Sequence, residues 1–188
     1  KVMKTLAALL VLAGLSGCAS WSEHSDEVVY SAGGLKKWAL DGRVGVRSRT
    51  DAWQADMVWA HDERQDRLRL SGPLSQGLIS IVLQRDLIYI NEGDGHEHLA
   101  KDPDAALKAR LGFSVPLKSL SYWVLGMPNP AEPSKPFSSD GAVGFEQQGW
   151  QITPSGRVDL EGRTVPDRLV VEGAGVRLKI IVDRWDPA

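Results

Sequence analysis

Apolar residues recur at every second position through most of the chain. Trp38, Leu40, Val44 and Val46 share one phase while Asp41, Arg43 and Arg47 hold the other, which predicts a strand over residues 37 to 48 with one buried face. Trp53, Ala55, Met57 and Trp59 repeat that phase against Gln54 and Asp56, giving a second strand rich in large, flat side chains. Leu68 and Leu70 then alternate with Arg67, Arg69 and Ser71, and Ile79, Ile81 and Leu83 with Ser80 and Gln84, so residues 68 to 83 read as two strands folded about a short loop. Gly72 and Pro73 break the pattern and Gly77 permits positive φ, which makes residues 72 to 77 that loop. Leu74 is apolar where a polar residue is expected. It either folds back onto the sheet as a plug or projects outward to meet something apolar. Leu87 to Ile90, a short strand around His96 to Leu99, and the later stretches 143–147, 149–153, 168–172 and 176–185 extend the series to about ten strands, an antiparallel meander.

Two short amphipathic helices interrupt it. Asp102 is a good N-cap, Pro103 suits the first helical position, Ala106, Leu107 and Leu111 mark one face, and Gly112 closes the helix. Leu117, Leu120, Ser121 and Val124 have helical spacing from Pro116, with Gly126 and Pro128 as the stop. The proline-rich run from Pro128 to Gly141 reads as a surface loop. The fold class is therefore mainly β: one strongly curved antiparallel sheet with short helices as a lid across its open side. Its interior, built from Trp53, Met57, Trp59, Leu70, Ile81 and Leu83, is either a packed core or a pocket for an apolar ligand, and periodicity does not separate the two.

The first residues change the picture. Lys1 and Lys4 precede the apolar run from Leu6 to Ala13, and Ser16 and Gly17 follow, so residues 1–17 read as a signal peptide, too short in its apolar core to span a membrane. The chain has 1 cysteine, Cys18, at the end of Leu15-Ser16-Gly17-Cys18. A lone cysteine in an exported chain cannot form an internal disulfide, and this setting looks like a lipobox whose thiol is acylated. Ala19 and Ser20 stand where an aspartate would favour the inner membrane, so the expected place is the outer membrane, periplasmic face. Residues 18–36 are expected to be the lipidated cysteine, a polar tether and a short helix, and residues 37–188 the barrel-like domain.

Composition and charge exclude several classes. With 43% hydrophobic and 24% charged residues the chain has enough apolar material for one folded domain. Loss of Lys1 and Lys4 with the leader moves the net charge from −2 to −4, and no basic run favours nucleic acid. His96 and His98 share one side of a strand without a third ligand nearby, so no metal site is assigned. Val29-Tyr30-Ser31-Ala32-Gly33 resembles a nucleophile elbow only loosely, since Val29 replaces the leading glycine. No cofactor motif and no catalytic residue is assigned, which favours a non-enzyme.

The chain resembles the LolB family of outer-membrane lipoprotein receptors over nearly its whole length. The resemblance rests on the lipobox at Cys18, Trp38-Ala39-Leu40-Asp41-Gly42-Arg43-Val44, Gly72-Pro73-Leu74, Pro116 to Leu120 with Trp123 to Pro128, Gln148-Gly149-Trp150, and Arg177 to Val182 with Trp185. It implies an unclosed β-barrel with a helical lid. The hydrophobic cavity then takes lipoprotein acyl chains from the periplasmic carrier LolA, and Leu120, Trp123 and Trp150 join the six interior residues named above. It also implies that Leu74, with Gly72 and Pro73, forms a protruding loop that helps place clients into outer-membrane lipid, and that the protein acts as a monomer. Ser75 follows Leu74 where family loops often have glycine, and Thr153-Pro154-Ser155-Gly156 stands where tyrosines are expected. A lipid-anchored assembly protein with a solid core is the alternative.

Overall fold

The computed structural model describes residues 28–72, 77–93, 97–139 and 141–187. Its strands are β1 (Trp38–Arg47), β2 (Ala52–Asp62), β3 (Gln65–Ser71), β4 (Ile79–Gln84), β5 (Leu87–Asn91) and β6 (Glu97–Ala100). After helices α1 (Pro103–Leu111) and α2 (Leu117–Trp123) come β7 (Ser134–Ser139), β8 (Ala142–Gln147), β9 (Trp150–Ser155), β10 (Val158–Leu160), β11 (Arg163–Val165), β12 (Arg168–Gly173) and β13 (Val176–Asp186).

Eleven strands form one antiparallel sheet in the order β6-β5-β4-β3-β2-β1-β13-β12-β9-β8-β7. The two edges, β6 and β7, do not pair with each other, and the chain between them contains both helices. An unclosed barrel with its open side crossed by the connecting helices follows from that order. Curvature has local causes. Between Asp41 and Gly42 the register of β1 on β13 slips at a bulge, and a Cβ on Gly42 would fall 2.1 Å from the Ile181 carbonyl oxygen. Only glycine permits that approach, and a bulge there bends and twists the strand.

The alternation read from sequence is the alternation of burial. Trp38, Leu40, Val44 and Val46 of β1, Ala55, Met57 and Trp59 of β2, and Val176, Leu178, Ile180 and Val182 of β13 all face inward. Trp38 packs edge-on against Trp59 and Trp185, with ring centroids 5.1 and 5.6 Å apart. The indole N–H groups of Trp59 and Trp185 donate to Asp66 Oδ1 and the Pro166 carbonyl, so this plug closes the end of the sheet where β1 begins.

The helix signals are also realised. The Asp102 side chain accepts from the Ala105 N–H at 3.0 Å and Gly112 takes the left-handed conformation, φ 79°. Two features differ from the sequence reading, β7 and the β10–β11 hairpin. The proline-rich segment expected as a surface loop contains β7, which lies at the edge of the sheet, where a strand tolerates the missing N–H of Pro136. Of residues 18–36, expected to hold a tether and a short helix, only 28–36 are described, and these are not helical. They form an extended strap with a turn at Gly33-Gly34, tied to β11 by Ser31 N–H to the Thr164 carbonyl at 3.0 Å. The hairpin β10–β11, which no alternation had announced, receives that strap. The leader, Cys18 and the rest of the 18–36 tether lie outside the described residues.

Candidate functional site

The interior between the sheet and its two helices is the candidate site. Trp53, Met57 and Trp59 reach it from β2, Leu68 and Leu70 from β3, and Ile81 from β4. Leu107 and Leu111 of α1, Phe113 and Val115 of the linker, and Leu117 and Leu120 of α2 close it from above. Every described residue around it is apolar, so a ligand in this space would find no directed polar partner among them. The void measures only about 40 Å³. That is roughly the room of one water molecule and well below the ~150 Å³ that accommodates benzene. The space left between the sheet and its helices is small and apolar, and admitting an acyl chain requires displacement of a wall.

Of the nine residues expected to line a cavity, Trp53, Met57, Trp59, Leu70, Ile81 and Leu120 meet at this void. Leu83 is buried in the core beyond it. Trp123 and Trp150 lie elsewhere: their rings sit 6.5 Å apart, and the Trp123 indole donates to Gln147 Oε1 at 2.7 Å. The family resemblance implies both at the cavity, but the Trp123 indole N–H, at a fully buried position, needs an acceptor, and Gln147 supplies one away from the void. Sequence reading passed over Leu107, Leu111 and Phe113. The helical spacing of the first two was visible, while Phe113, whose ring lies 6.2 Å from that of Trp53, follows the Gly112 stop and carried no periodic signal.

The lid's two halves are held differently. Gln147, 2% exposed, accepts from Trp123 Nε1 and the Asn129 N–H and donates to the carbonyls of Asn129 and Glu132. Asn129 Nδ2 donates to Ser119 Oγ, which donates to Gln148 Oε1, so α2 is joined to the β8–β9 turn by a continuous polar network. Helix α1 buries Leu107 fully and is tied at its rim through Arg110 to Glu92 and His98.

The β3–β4 connection begins at Gly72 and resumes at Gly77; Pro73 and Leu74 lie outside the described residues. Its flanks leave the sheet at the end opposite the tryptophan plug. His98 contacts Arg110, and His96 is outside the described residues. Among the described residues no three His, Cys, Asp or Glu side chains gather as a metal site. Ser31 Oγ accepts the Thr164 N–H at 3.0 Å, a contact that ties the strap to β11.

A family model described as "Outer membrane lipoprotein LolB" matches residues 36–185. The outer-membrane lipoprotein LolB of Pseudomonas paraeruginosa is 27% identical over 202 residues, covering 98% of this chain and 97% of that protein. That of Stutzerimonas stutzeri is 26% identical over 176 residues, covering 93% and 84%. Solved structures of similar shape include a LolA superfamily protein from Nitrosomonas europaea, with TM-score 0.47, 8% identity and coverage of 82% and 87%. Another is a putative outer membrane lipoprotein-sorting protein domain from Vibrio parahaemolyticus, with TM-score 0.48, 6% identity and coverage of 82% and 86%. With the family match spanning most of the sheet and both helices, the chain belongs to the LolB family of outer-membrane lipoproteins.

Proposed function

We propose that this protein is a lipid-anchored acceptor of lipoproteins at the outer membrane, receiving their acyl chains from the periplasmic carrier LolA and delivering them into the bilayer without catalysis. The observation that carries the reading is an interior lined only by apolar side chains and roofed on one side by α1, a helix whose hold on the sheet is mostly apolar. Such a roof can lift and re-form its contacts on a ligand. Three acyl chains carry on the order of 40 methylenes, and exposing each to water costs about 0.8 kcal/mol, so a handover must pass from one apolar interior to the next. A preference of about 1.4 kcal/mol at each step already biases transfer tenfold. In this reading residues 1–17 are the leader, acylated Cys18 anchors the chain through the 18–36 tether, residues 37–188 form the carrier domain, and the protein works as a monomer.

Leu74, at the tip of the Gly72-Pro73-Leu74 loop, is the membrane-contacting residue of the scheme. Burying its side chain in lipid contributes about 1.5 to 3 kcal/mol, enough to orient the loop end toward the bilayer. The test is transfer of a labelled lipoprotein from purified LolA to the chain lacking residues 1–18, followed by delivery to vesicles. Acceptance with the parent chain, and Leu74→Glu that accepts but delivers poorly, is the expected pair of results. A folded chain that accepts nothing would sink the assignment.

The small size of the void favours one other reading, an anchored assembly protein with a solid core. A solvatochromic fatty acid separates the two: saturable binding requires an interior that opens, and a solid core gives none.

A further inference from the structure

On the outer face of the sheet, where β1 turns into β2 and β12 into β13, lies an open groove of about 600 Å³. Gly45 forms its floor between Gln54 of β2 and Lys179 of β13, and the next row sets Arg47 beside Ala52 and Arg177. Trp53 and Val46 border it and also border the interior void, so groove and void share a wall.

Two features of this groove are costly for the fold alone. Arg47 stands directly opposite Arg177 in the β1–β13 register, and like charges facing each other across neighbouring strands destabilise a sheet. Arg177 is partly compensated by Glu172 at 2.6 Å, but Arg47 and Lys179 have no ion pair with any described residue. Farther along the same face the cations are matched: Arg43 makes two hydrogen bonds to Asp183, and Arg184 pairs with Asp41 and Asp186. The second feature is Gly45. Glycine inside a strand weakens it, yet here a Cβ would meet nothing within 4 Å and φ is not in the left-handed region. Neither space nor backbone requires glycine, in contrast to Gly42. What the missing side chain provides is depth between Lys179 and Gln54.

We propose that this groove seats the phosphate headgroups of an anionic phospholipid bilayer and holds the loop end of the sheet against the membrane. Charge complementarity supports a lipid surface, because uncompensated cations grouped on a chain of net charge −2 give it one face that an anionic membrane attracts. Position supports it too. Ser71, the last residue of β3, faces Asp56, and Gln54 and Ala52 lie two and four positions farther along β2, so the groove is level with the β3–β4 connection. The half-buried Trp53 indole at its edge is the kind of side chain that settles at headgroup depth. The inference rests on the reading of that end as membrane-facing.

The test uses the full chain reconstituted into vesicles of phosphatidylcholine alone or with phosphatidylglycerol, and follows lysine acetylation by mass spectrometry. Each cation near an anionic surface strengthens association about fivefold, so acetylation of Lys179 is expected to slow about fivefold or more in the anionic vesicles. High salt restores the rate, and Lys37, at the opposite end of β1, is unaffected throughout. Gly45→Thr, which suits a strand and fills the groove, is expected to abolish the protection. Equal Lys179 rates in both vesicles would overturn the proposal, as would protection that survives Gly45→Thr. Protection elicited by an acidic protein but not by vesicles would also overturn it and give the groove to a protein partner. No transfer step enters the readout. A chain whose Lys179 is protected but which accepts nothing from LolA would therefore refute the proposed function and leave the groove standing.

Discussion

Helices α1 and α2 cover the same apolar interior, yet among the described residues only α2 is built into the sheet by buried polar bonds. Around α2, Gln147 uses both ends of its amide on four partners, and Ser119 and Asn129 extend that network to the β8–β9 turn. Behind α2, the Tyr30 ring lies where a Cβ on Gly126 would come within 2.5 Å of it, so the N-terminal strap backs the helix's exit. Among the described residues nothing comparable holds α1, whose buried anchor is Leu107 and whose rim contacts are charged and accessible. Polar networks have one good geometry, whereas apolar contact is non-directional and can be exchanged for contact with a ligand. Under the proposed function, that difference makes α2 with the linker to β7 the fixed wall of the interior and α1 the wall that moves.

The comparison breaks most readily at Gln147. Gln147→Ala leaves the Trp123 indole and the main-chain groups of Asn129 and Glu132 without their partners in a buried setting, and a loss of about 4 kcal/mol is expected. Urea unfolding gives the value. A cost under about 1 kcal/mol would remove the distinction between a pinned and an unpinned helix.

Leu107→Ala tests the other side. Truncating a buried leucine costs about 2 to 5 kcal/mol, and beside a void under a short helix that can settle inward the expected cost is about 3 kcal/mol. Its consequence for binding is the sharper point. The substitution enlarges a void that is already apolar, so a fatty-acid probe should bind the variant at least as tightly as the parent once both are measured well below their unfolding midpoints. Weaker binding in a folded variant would mean that α1 is a rigid part of the site.

How much of this was legible beforehand depends on the range of the interactions. Strand phase, the Asp102 cap and the Gly112 stop are set by neighbours within a few residues, and they stand where the sequence placed them. β7 was hidden because Pro136 argues against a strand unless one knows that the strand lies at an edge, which is a property of the whole sheet. Gln147 was hidden for a similar reason. It ends the 143–147 strand, and its partners Trp123 and Asn129 are 24 and 18 residues earlier in the chain. Trp123 and Trp150, which the family resemblance implies at the cavity, lie instead at that amide, the first held by it and the second packed beside the first. The apolar composition of the interior was readable, but its small size of about 40 Å³ was not, because it follows from how two helices dock rather than from periodicity.

The smallest expected effect concerns pH and falls on α2 alone. Burial, followed by the charge of Asp167, pushes the Tyr30 phenol above its ordinary value, and its hydroxyl donates to the Gly156 carbonyl at 3.1 Å. A raised folded-state value means that the folded protein favours the protonated phenol. The associated stabilisation is therefore complete below about pH 10, the unfolded value, and is lost as pH rises through the higher folded one. Ionisation also ends the hydrogen bond to Gly156 and places a negative charge near Asp167. The strap behind α2 should loosen first, so structure around Gly126 and the C-terminal turn of α2 becomes more dynamic while α1 is unchanged. Methyl or indole NMR signals of Val124 and Trp123, followed against those of Leu107 across pH 9 to 11, provide the check at roughly one unit either side of the ordinary tyrosine value. Tyr30→Phe keeps the ring against Gly126 and removes the titration, so in that variant the difference between the two helices should no longer depend on pH. If the Leu107 signals moved together with those of Trp123, the strap would be acting on the whole lid, and α1 could not be the independently moving wall.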